Sequence, residues 1–416
     1  MLRQIEGSKA VGEAVSLTRP QVICAYPISP QTHIVEHLSR LVKAGSLTGC
    51  EYLNVDSEYS AMSGAIGASA TGARTYTATA SQGLLYMVEA VYNASGLGLP
   101  IVMTVANRAL GAPINIWNDQ SDAMSQRDSG WLQLYAEDNQ EAVDLHIQAF
   151  RIAEELSLPV MVCMDGFILT HAVEAVDVPT QEQVDAFLPP YEPRQVLDPA
   201  APVSIGAMVG PEAFTEVRYL AHVQQMRALE LIPQVAAEYE QATGRASGGL
   251  VSPYRIEDAD TVVVALGSVV GTLKDTVDDL RDEGRRVGVL AIKSFRPFPL
   301  KAIREAIGHA KTVVVLERAF AVGIGGIVAP EVRTALRDKD FEGYCVIAGL
   351  GGRPVLKTSL RDMIDKAEAR TLKPLSFLDL RKDLIDHELK RMEERRRSGP
   401  AAANIRRELG SGRGHL

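Results

Sequence analysis

The stretch "TATASQGLLYMVEAVYNASGLGLPIVMTVANR", residues 77–108, reads as a strand, a short turn, a helix and a second strand. Both strands are apolar runs, the pattern of strands that are buried on both faces of a sheet. Strands joined through a helix are typically parallel neighbours. Similar runs, "VICAYPI" before this stretch and "LPVMVCMDG" after it, extend the pattern. We therefore predict an α/β domain over residues 1–175, with a parallel sheet covered on both faces.

The rest of the chain changes in texture three times. A proline-rich passage and a long charged helical pattern, from Glu212 to about Ala242, predict an arm over 176–250 that packs on the first domain or on a partner. Alternating strand and helix patterns then predict a second α/β domain over 251–379. Residues 380–416 read as a charged helix and a flexible Gly/Ser/Arg tail.

The composition narrows the classes of protein that fit the sequence. Its 416 residues are 46% hydrophobic and 23% charged, with a formal charge of −9. This acidic balance argues against general nucleic-acid binding, which needs a basic face. The four cysteines form no C-x-x-C pair, so neither a disulfide framework nor a cysteine-held metal or iron–sulfur cluster is expected. No apolar run approaches the roughly 20 residues that span a bilayer, and we expect a soluble cytoplasmic protein.

Ser29 stands between Pro27 and Pro30, where an apolar strand gives way to a helical pattern. Serine followed by proline is a favoured helix start, so Ser29 is predicted to be the N-cap of a helix whose apolar face begins at Ile34. The same position, at the C-terminal end of a parallel strand, also suits anion binding by free N–H groups. The two interpretations are compatible.

Glu58 opens a helical pattern, "EYSAMSGAIGASATGA", whose interior is almost entirely Ala, Gly and Ser. An acid in a first turn with Ser57 as cap needs no functional explanation, because the helix dipole favours it. The small residues, however, allow another backbone to pack closely, and a lone carboxylate in a buried interface is costly without a partner. Position alone leaves both interpretations open.

Arg108 lies at the C-terminal end of the second strand in the opening stretch. That end is the ligand side of an open parallel sheet, and a guanidinium suits bidentate recognition of a carboxylate. An ion pair with Asp119 or Asp122 explains the residue about equally well. The loop that follows, "NIWNDQSD", is too polar for a core and is typical of a functional loop. His33 and His37 lie four residues apart without a third ligand nearby, and we interpret them as structural.

Several segments together resemble the α subunits of multi-subunit pyruvate:ferredoxin oxidoreductases, a family also called pyruvate synthases. They are "AYPISPQT", "SEYSAMSGAIGASATGARTYTATASQGLLYM", "PIVMTVANRALGAPINIWNDQSDAMSQRDSGWLQLYAEDNQEA" and "MDGFILTHAVE". The resemblance covers nearly the whole chain except the tail. It implies a doubly wound, thiamine-diphosphate-binding domain of the pyrimidine type, followed by a transketolase C-terminal-like α/β domain.

Carried over position by position, the resemblance implies three catalytic residues. Glu58 matches the glutamate that hydrogen-bonds the aminopyrimidine ring of thiamine diphosphate and so promotes loss of the thiazolium C2 proton. Arg108 and Ser29, where the family often has threonine, match the residues that hold the 2-oxoacid carboxylate. The other implied positions are cofactor-binding Tyr26, Pro27, Ser81 and Gln82, and the substrate-loop residues Asn115, Asn118, Asp119, Gln120 and Asp122.

The implied reaction is the CoA-dependent oxidative decarboxylation of pyruvate to acetyl-CoA and CO2, with reduction of ferredoxin, and its reverse. The chain lacks the G-D-G…N motif for diphosphate and Mg2+, and it lacks cluster cysteines. The implied partners are therefore a β subunit that holds the diphosphate and Mg2+, a γ subunit, a ferredoxin-like δ subunit with [4Fe-4S] clusters, and ferredoxin. No metal ligand is assigned to this chain.

Three alternatives stay open at this point. The same chemistry could act on another 2-oxoacid, namely 2-oxoisovalerate, 2-oxoglutarate or oxalate, although the "NIWNDQSD" loop favours pyruvate. The chain could be a non-catalytic scaffold subunit, in which the small-residue helix only joins chains. It could also serve a transketolase-like enzyme without electron transfer.

Overall fold

A computed structural model describes residues 2–394 and 399–410. Its strands, in chain order, are β1 (Leu2–Glu6), β2 (Val22–Ala25), β3 (Glu51–Asn54), β4 (Thr75–Thr79), β5 (Ile101–Asn107), β6 (Leu132–Tyr135), β7 (Val160–Asp165), β8 (Val173–Asp177), β9 (Val251–Tyr254), β10 (Thr261–Ala265), β11 (Val287–Ile292), β12 (Ser294–Arg296), β13 (Thr312–Glu317), β14 (Glu342–Ile347) and β15 (Leu375–Phe377). Its α-helices are α1 (Gly7–Leu17), α2 (Thr32–Lys43), α3 (Glu58–Ala70), α4 (Ser81–Tyr86), α5 (Val88–Gly96), α6 (Ser121–Ser125), α7 (Asn139–Leu156), α8 (Gln181–Phe187), α9 (Phe214–Thr243), α10 (Val269–Asp282), α11 (Leu300–Ile307), α12 (Val328–Ala335), α13 (Lys357–Glu368), α14 (Lys382–Glu393) and α15 (Ala401–Glu408).

The first sheet has seven strands in the order β12-β6-β7-β5-β4-β2-β3. Neighbouring strands are parallel except β12, which pairs antiparallel with β6. Strands β4, β5 and β7 are buried along their whole length, as their continuous apolar runs predict. Helices α1, α2 and α7 contribute to the core on one face, and α3 and α5 to the core on the other. The α/β fold predicted from residues 77–108 is confirmed.

The second sheet has six strands in the order β15-β14-β13-β10-β11-β9, all parallel except β9. Helices α10 and α13 pack on one face, while α11 and α12 pack on the face toward the first sheet. One continuous apolar cluster joins the two sheets, from Met103 and Met161 in the first to Val262 and Val315 in the second. The two α/β units therefore share a core.

The four-part division of the chain stays a proposal. The boundary at 175 falls inside β8, which pairs with β1, and β12 of the segment 251–379 adds to the first sheet. Within the arm, the second half of α9 is buried against α7 and α8, whereas most of its first half is exposed. In the tail, α14 and α15 are helical, and residues 411–416 of the predicted flexible end lie outside the described residues.

Other features of the fold bear on the expected chemistry. Within the described ranges, no helix is both long and apolar enough to cross a membrane. All four cysteines are buried free thiols. In the same ranges, no group of three or more His, Cys, Asp or Glu side chains is arranged to hold a metal ion. His33 contacts Glu6, with Nδ1 and Oε1 2.5 Å apart, and is not joined to His37.

Candidate active site

Three neighbouring strands of the first sheet, β2, β4 and β5, bring the candidate residues to one edge. Half-buried Tyr26 and exposed Pro27 directly follow β2, Ser81 follows β4, and Arg108 follows β5. Because parallel strands end at the same edge, segments far apart in sequence meet there. Glu58, the first residue of α3, lies at the same edge.

Ser29 is not the helix cap that its sequence context predicts. Helix α2 begins at Thr32, after a turn in which the Gln31 N–H donates to the Ile28 carbonyl at 2.8 Å. The cap prediction is wrong because exposed Ser29 lies with Pro30 in the middle of that turn, and the N-cap position of the helix is Gln31. The buried side chain of Gln31 ties the turn to the sheet, donating to the Ala78 carbonyl at 2.8 Å.

Arg108 is buried, and within the described ranges its guanidinium has no carboxylate partner. The residue is 7% exposed, and its guanidinium donates from Nη1 to the Ser29 carbonyl at 3.0 Å and from Nε to the Asn115 carbonyl at 3.1 Å. One of the two predicted explanations for Arg108, an ion pair with Asp119 or Asp122, is therefore wrong. Neither carboxylate accepts a hydrogen bond from the guanidinium. Burial lowers the pKa of Arg108. A guanidinium with only carbonyl partners retains donors for an anion.

Glu58 is also buried and lacks a partner. It is 8% exposed, and no hydrogen bond or ion pair of its carboxylate occurs among the residues described. The Ser57 cap is confirmed, because its side chain accepts from the Ser60 N–H at 3.2 Å. A Cβ added at Gly83 would lie 2.7 Å from Glu58 Oε1 and 2.6 Å from Thr79 Oγ1, so a side chain there would have to displace these groups. Thr79 Oγ1 is itself buried and finds no hydrogen-bond partner in the part of the chain that the structure describes. The Glu58 carboxylate and the Thr79 hydroxyl therefore both have unmet hydrogen-bonding capacity, and Gly83 leaves space beside them.

The "SQG" segment that sequence patterns suggest as a turn is the first turn of α4. Ser81 has a left-handed backbone, with φ at 51°, and its hydroxyl donates to the Ala109 carbonyl at 2.6 Å. The side chain of Gln82 reaches the loop after β5, where a Cβ at Gly111 would lie 2.6 Å from Gln82 Nε2. Contacts therefore run directly between the end of β4 and the loop after Arg108.

Asp122 lies beneath this edge rather than on it. Its carboxylate is fully buried and accepts from the backbone N–H groups of Ser81 and Arg108, both at 2.9 Å to Oδ2. The other oxygen, Oδ1, accepts from Asn107 Nδ2 and from the Ala123 N–H, both at 2.8 Å. Burial raises the pKa of Asp122 to about 6, against these hydrogen bonds, which lower it.

Three of the remaining substrate-loop residues, Asn115, Asp119 and Gln120, bind the second α/β unit. Asn115 Nδ2 donates to the Gly351 carbonyl at 3.1 Å, and Asp119 Oδ2 accepts from the Gly351 N–H at 3.0 Å. The Gln120 N–H donates to the Arg318 carbonyl at 2.8 Å. Asn118 is buried, and its Nδ2 has no hydrogen-bond partner among the described residues. The structure thus brings Ser29, Glu58, Ser81 and Arg108 together, while it uses most of the loop to join the two sheets.

Sequence reasoning missed the ion pair that anchors this loop. Asp165 ends β7 and Arg318 follows β13, and they meet between the sheets with Nη1 and Oδ2 2.7 Å apart. Gln120 Nε2 and the Ser268 N–H also donate to Asp165, at 3.3 and 2.9 Å. Each residue stands at the end of an apolar run in the sequence, which predicts that it lies at the sheet edge but does not predict that the two form a pair.

Comparison with protein families gives two matches along the chain. Residues 13–238 match the family described as pyruvate flavodoxin/ferredoxin oxidoreductase, thiamine diP-binding. Residues 259–359 match pyruvate:ferredoxin oxidoreductase core domain II. The first match alone spans more than half of the chain, and the two together include all strands of the first sheet and the four central strands of the second, β10, β11, β13 and β14.

Comparison with curated proteins finds relatives of similar length. Pyruvate synthase subunit PorA of Methanosarcina barkeri is 47% identical over 392 residues, covering 92% of this chain and 97% of the relative. The subunit of the same name from Methanocaldococcus jannaschii is 48% identical, covering 88% and 95%. Ketoisovalerate oxidoreductase subunit VorA of Pyrococcus horikoshii is 42% identical, covering 84% and 89%.

Two solved structures share the fold at low identity. A 2-oxoglutarate:ferredoxin oxidoreductase from Magnetococcus marinus, with 2-oxoglutarate, coenzyme A and succinyl-CoA bound, has a TM-score of 0.67 at 18% identity, covering 88% of this chain and 65% of that one. A split-gene transketolase has a TM-score of 0.53 at 15% identity, covering 89% and 100%. These likenesses confirm the predicted fold, and the family matches and close relatives give the assignment: the chain belongs to the pyruvate flavodoxin/ferredoxin oxidoreductase family.

Proposed function

We propose that this chain is the α subunit of a thiamine-diphosphate-dependent pyruvate:ferredoxin oxidoreductase. The reaction converts pyruvate, CoA and two oxidised ferredoxins into acetyl-CoA, CO2, a proton and two reduced ferredoxins, and it runs in both directions. One observation carries the proposal at the level of the site. Two buried residues lie at one sheet edge: Glu58, whose carboxylate has no partner among the described residues, and Arg108, whose guanidinium has no carboxylate partner among them.

The surroundings of Glu58 fit an aminopyrimidine ring. The ring offers nitrogen donors and acceptors, and the edge holds the Glu58 carboxylate and the orphan Thr79 hydroxyl beside Gly83, where any side chain would fill the space. When bound, thiamine diphosphate supplies a carbanion nucleophile for the 2-oxoacid carbonyl and an electron sink for decarboxylation. Glu58 would hold the ring through a charge-assisted hydrogen bond. Tyr26, Pro27, Ser81 and Gln82 would border the cofactor.

Arg108 and Ser29 would hold the substrate. Two of the five guanidinium donors are used by carbonyl groups, and the others are free to bind the carboxylate of a 2-oxoacid. The exposed Ser29 hydroxyl lies on the turn that Arg108 already contacts, so it adds a further donor beside the guanidinium. Burial strengthens this recognition because water competes less. Asn115, Asn118, Asp119, Gln120 and Asp122 would fix the loop that borders this pocket.

The complex needs further subunits. We place the diphosphate and Mg2+ on a β subunit and the [4Fe-4S] clusters on a ferredoxin-like δ subunit, with a γ subunit completing the assembly and ferredoxin as electron acceptor. The absence of C-x-x-C pairs in this sequence supports the assignment of the clusters to partners. A cytoplasmic location belongs to the same proposal, in keeping with four unpaired buried thiols.

The test is an acceptor assay on the purified complex. With CoA and a low-potential viologen as acceptor, we expect pyruvate to be oxidised faster than 2-oxoisovalerate, 2-oxoglutarate or oxalate, and iron to copurify. A faster rate with another 2-oxoacid would move the substrate assignment to that acid. A complex without iron would support the transketolase-like alternative, and full activity of a Glu58→Ala complex would support the scaffold alternative.

A further inference from the structure

The carboxylate of Asp122 lies where three elements meet, namely the ends of β4 and β5 and the first turn of α6. Oδ2 accepts from the N–H groups of Ser81 and Arg108, each at 2.9 Å. Oδ1 accepts from Asn107 Nδ2 and the Ala123 N–H, each at 2.8 Å. The residue is 0% exposed, so its carboxylate reaches neither solvent nor a ligand at the edge.

All four groups around Asp122 are N–H donors. An ionised carboxylate only accepts hydrogen bonds and so satisfies all four, whereas an asparagine would turn an NH2 group toward two of them. Each buried N–H that loses its acceptor costs free energy. The site therefore selects an aspartate for its acceptor capacity, although burying that charge is unfavourable.

The two N–H groups that share Oδ2 lead to the two halves of the proposed site. Ser81 begins α4, whose Gly83 lies against the Glu58 carboxylate. Arg108 carries the guanidinium that contacts the turn at Ser29. A single oxygen atom thus fixes the distance between the backbone on the cofactor side and the backbone on the substrate side.

We infer that Asp122 is a positioning residue that couples the segment facing Glu58 to Arg108, so that cofactor and 2-oxoacid are held in one fixed relation. The inference rests on the proposed function and adds a residue that acts only through others. Small displacements of reacting groups cost rate steeply, and this coupling holds the Arg108 backbone in place. Its contribution should therefore depend on the presence of the Arg108 side chain.

A double-mutant cycle in the full complex tests this dependence, with kcat/KM for pyruvate as the readout. Asp122→Asn should lower kcat/KM roughly 30-fold in the otherwise unchanged complex, mainly through KM, but less than about 3-fold in an Arg108→Ala background. Equal factors in both backgrounds would overturn the inference, because general damage to the fold acts regardless of Arg108. Asp144→Asn is the matched control, since Asp144 is fully buried on α7 and bonded to Tyr239 and Arg245, away from the edge. It should lower the melting temperature and leave kcat/KM unchanged.

A milder variant covers the case in which Asp122→Asn does not fold. Asn107→Ala removes one of the four donors and keeps the carboxylate. It should lower kcat/KM roughly 5-fold and show the same dependence on Arg108, and additive effects would again refute the coupling. Failure of the proposed function itself would appear earlier, as an unaltered complex that does not oxidise pyruvate.

Discussion

Two buried glutamates, one at the edge of each sheet, differ in their hydrogen-bond partners. Glu58 is 8% exposed and its carboxylate has no partner among the described residues, although it stands at the start of α3. Glu317 is 2% exposed and accepts from three backbone N–H groups at the start of α12, at 2.6, 2.7 and 2.9 Å. Burial therefore does not distinguish the two residues. Only its unmet hydrogen-bonding capacity marks Glu58 as the reactive candidate, whereas Glu317 is structural.

A close glycine also fails to separate the two sites. A Cβ at Gly83 would lie 2.7 Å from Glu58 Oε1, and one at Gly326 would lie 2.1 Å from Glu317 Oε1. The "VGIGG" segment, residues 322–326, thus folds over a carboxylate that already has its hydrogen-bond partners and whose pKa burial raises. Glycine marks close approach at both sites, and the partners decide what the approach is for.

The largest expected effect comes from Glu58→Gln in the assembled complex. Pyruvate oxidation should fall roughly 1000-fold, because an amide cannot replace a charged acceptor in acid–base chemistry at the cofactor. The melting temperature should stay within about 1 °C, since no internal partner is lost. The acceptor assay and a thermal melt measure the two quantities. An active variant, or an inactive one that has unfolded, would contradict the view that Glu58 is reactive while Glu317 is structural.

Arg108→Lys should have the next largest effect. A lysine keeps the charge but loses the planar fork, so KM for pyruvate should rise roughly 100-fold with a smaller change in kcat. Arg74→Lys is the matched control, because Arg74 is a buried arginine that pairs with Glu154 at the opposite end of β4. That variant should lose stability and keep KM. Unchanged KM in Arg108→Lys would place the carboxylate site elsewhere.

Glu317→Gln should reverse the pattern seen for Glu58. The amide would face N–H groups that the carboxylate now accepts from, and the free energy of unfolding should fall by about 2 kcal/mol. Activity per folded complex should stay near the starting value, as chemical denaturation and the acceptor assay would show. Loss of activity without loss of stability would mean that the second edge takes part in the reaction.

The smallest effect is a pH dependence from Asp122, whose pKa burial raises to about 6. Because this value exceeds the ordinary one for aspartate, the folded protein binds the proton more tightly than the unfolded chain, and ionised Asp122 costs stability above pH 6. That cost in stability disappears as the pH falls. Activity decreases over the same range, because a protonated carboxyl group accepts hydrogen bonds from fewer N–H groups. We expect kcat/KM for pyruvate to fall roughly tenfold from pH 7 to pH 5.

The groups that face Asp122 keep this pH prediction simple. Arg108 remains charged, and burial raises the pKa of Tyr135 and of Cys163, so both stay neutral over this range. An activity profile that is flat down to pH 5 would contradict the assignment. Asp122→Asn should lack the acidic decline while keeping any slope that other groups contribute.

Local sequence patterns predicted the layers of the fold and misjudged one detail of the edge. Apolar runs of strand length marked β4, β5 and β7, because burial on both faces leaves a signal within a few residues. Ser29 was misread as a cap since serine followed by proline suits both a helix start and a turn, and Ile28 with Gln31 closes the turn first.

The partners of the candidate residues could not be predicted in the same way. Their positions in the sequence marked Glu58 and Arg108 as candidates and the family resemblance implied their roles, but only the folded structure shows that neither side chain has an ionic partner among the described residues. Asp119 bonds to Gly351, and Gln120 to Arg318, across sequence separations that no local pattern spans. Asp122 was assigned to a substrate loop for its polarity, whereas its burial depends on how three elements pack.

Strand β12 is the last strand of the first sheet to be synthesised, so the sheet is completed only after the ribosome has made it. Residues Ser294–Arg296 pair with β6, which would otherwise present unpaired N–H and C=O groups as an open edge. During synthesis the ribosome must pass Arg296 before that edge is covered, long after the other strands of the sheet have been made. During that interval the nascent chain therefore exposes the edge of β6, which could pair with another chain. Strand β12, contributed by the segment of the second α/β unit, covers this edge and prevents such pairing.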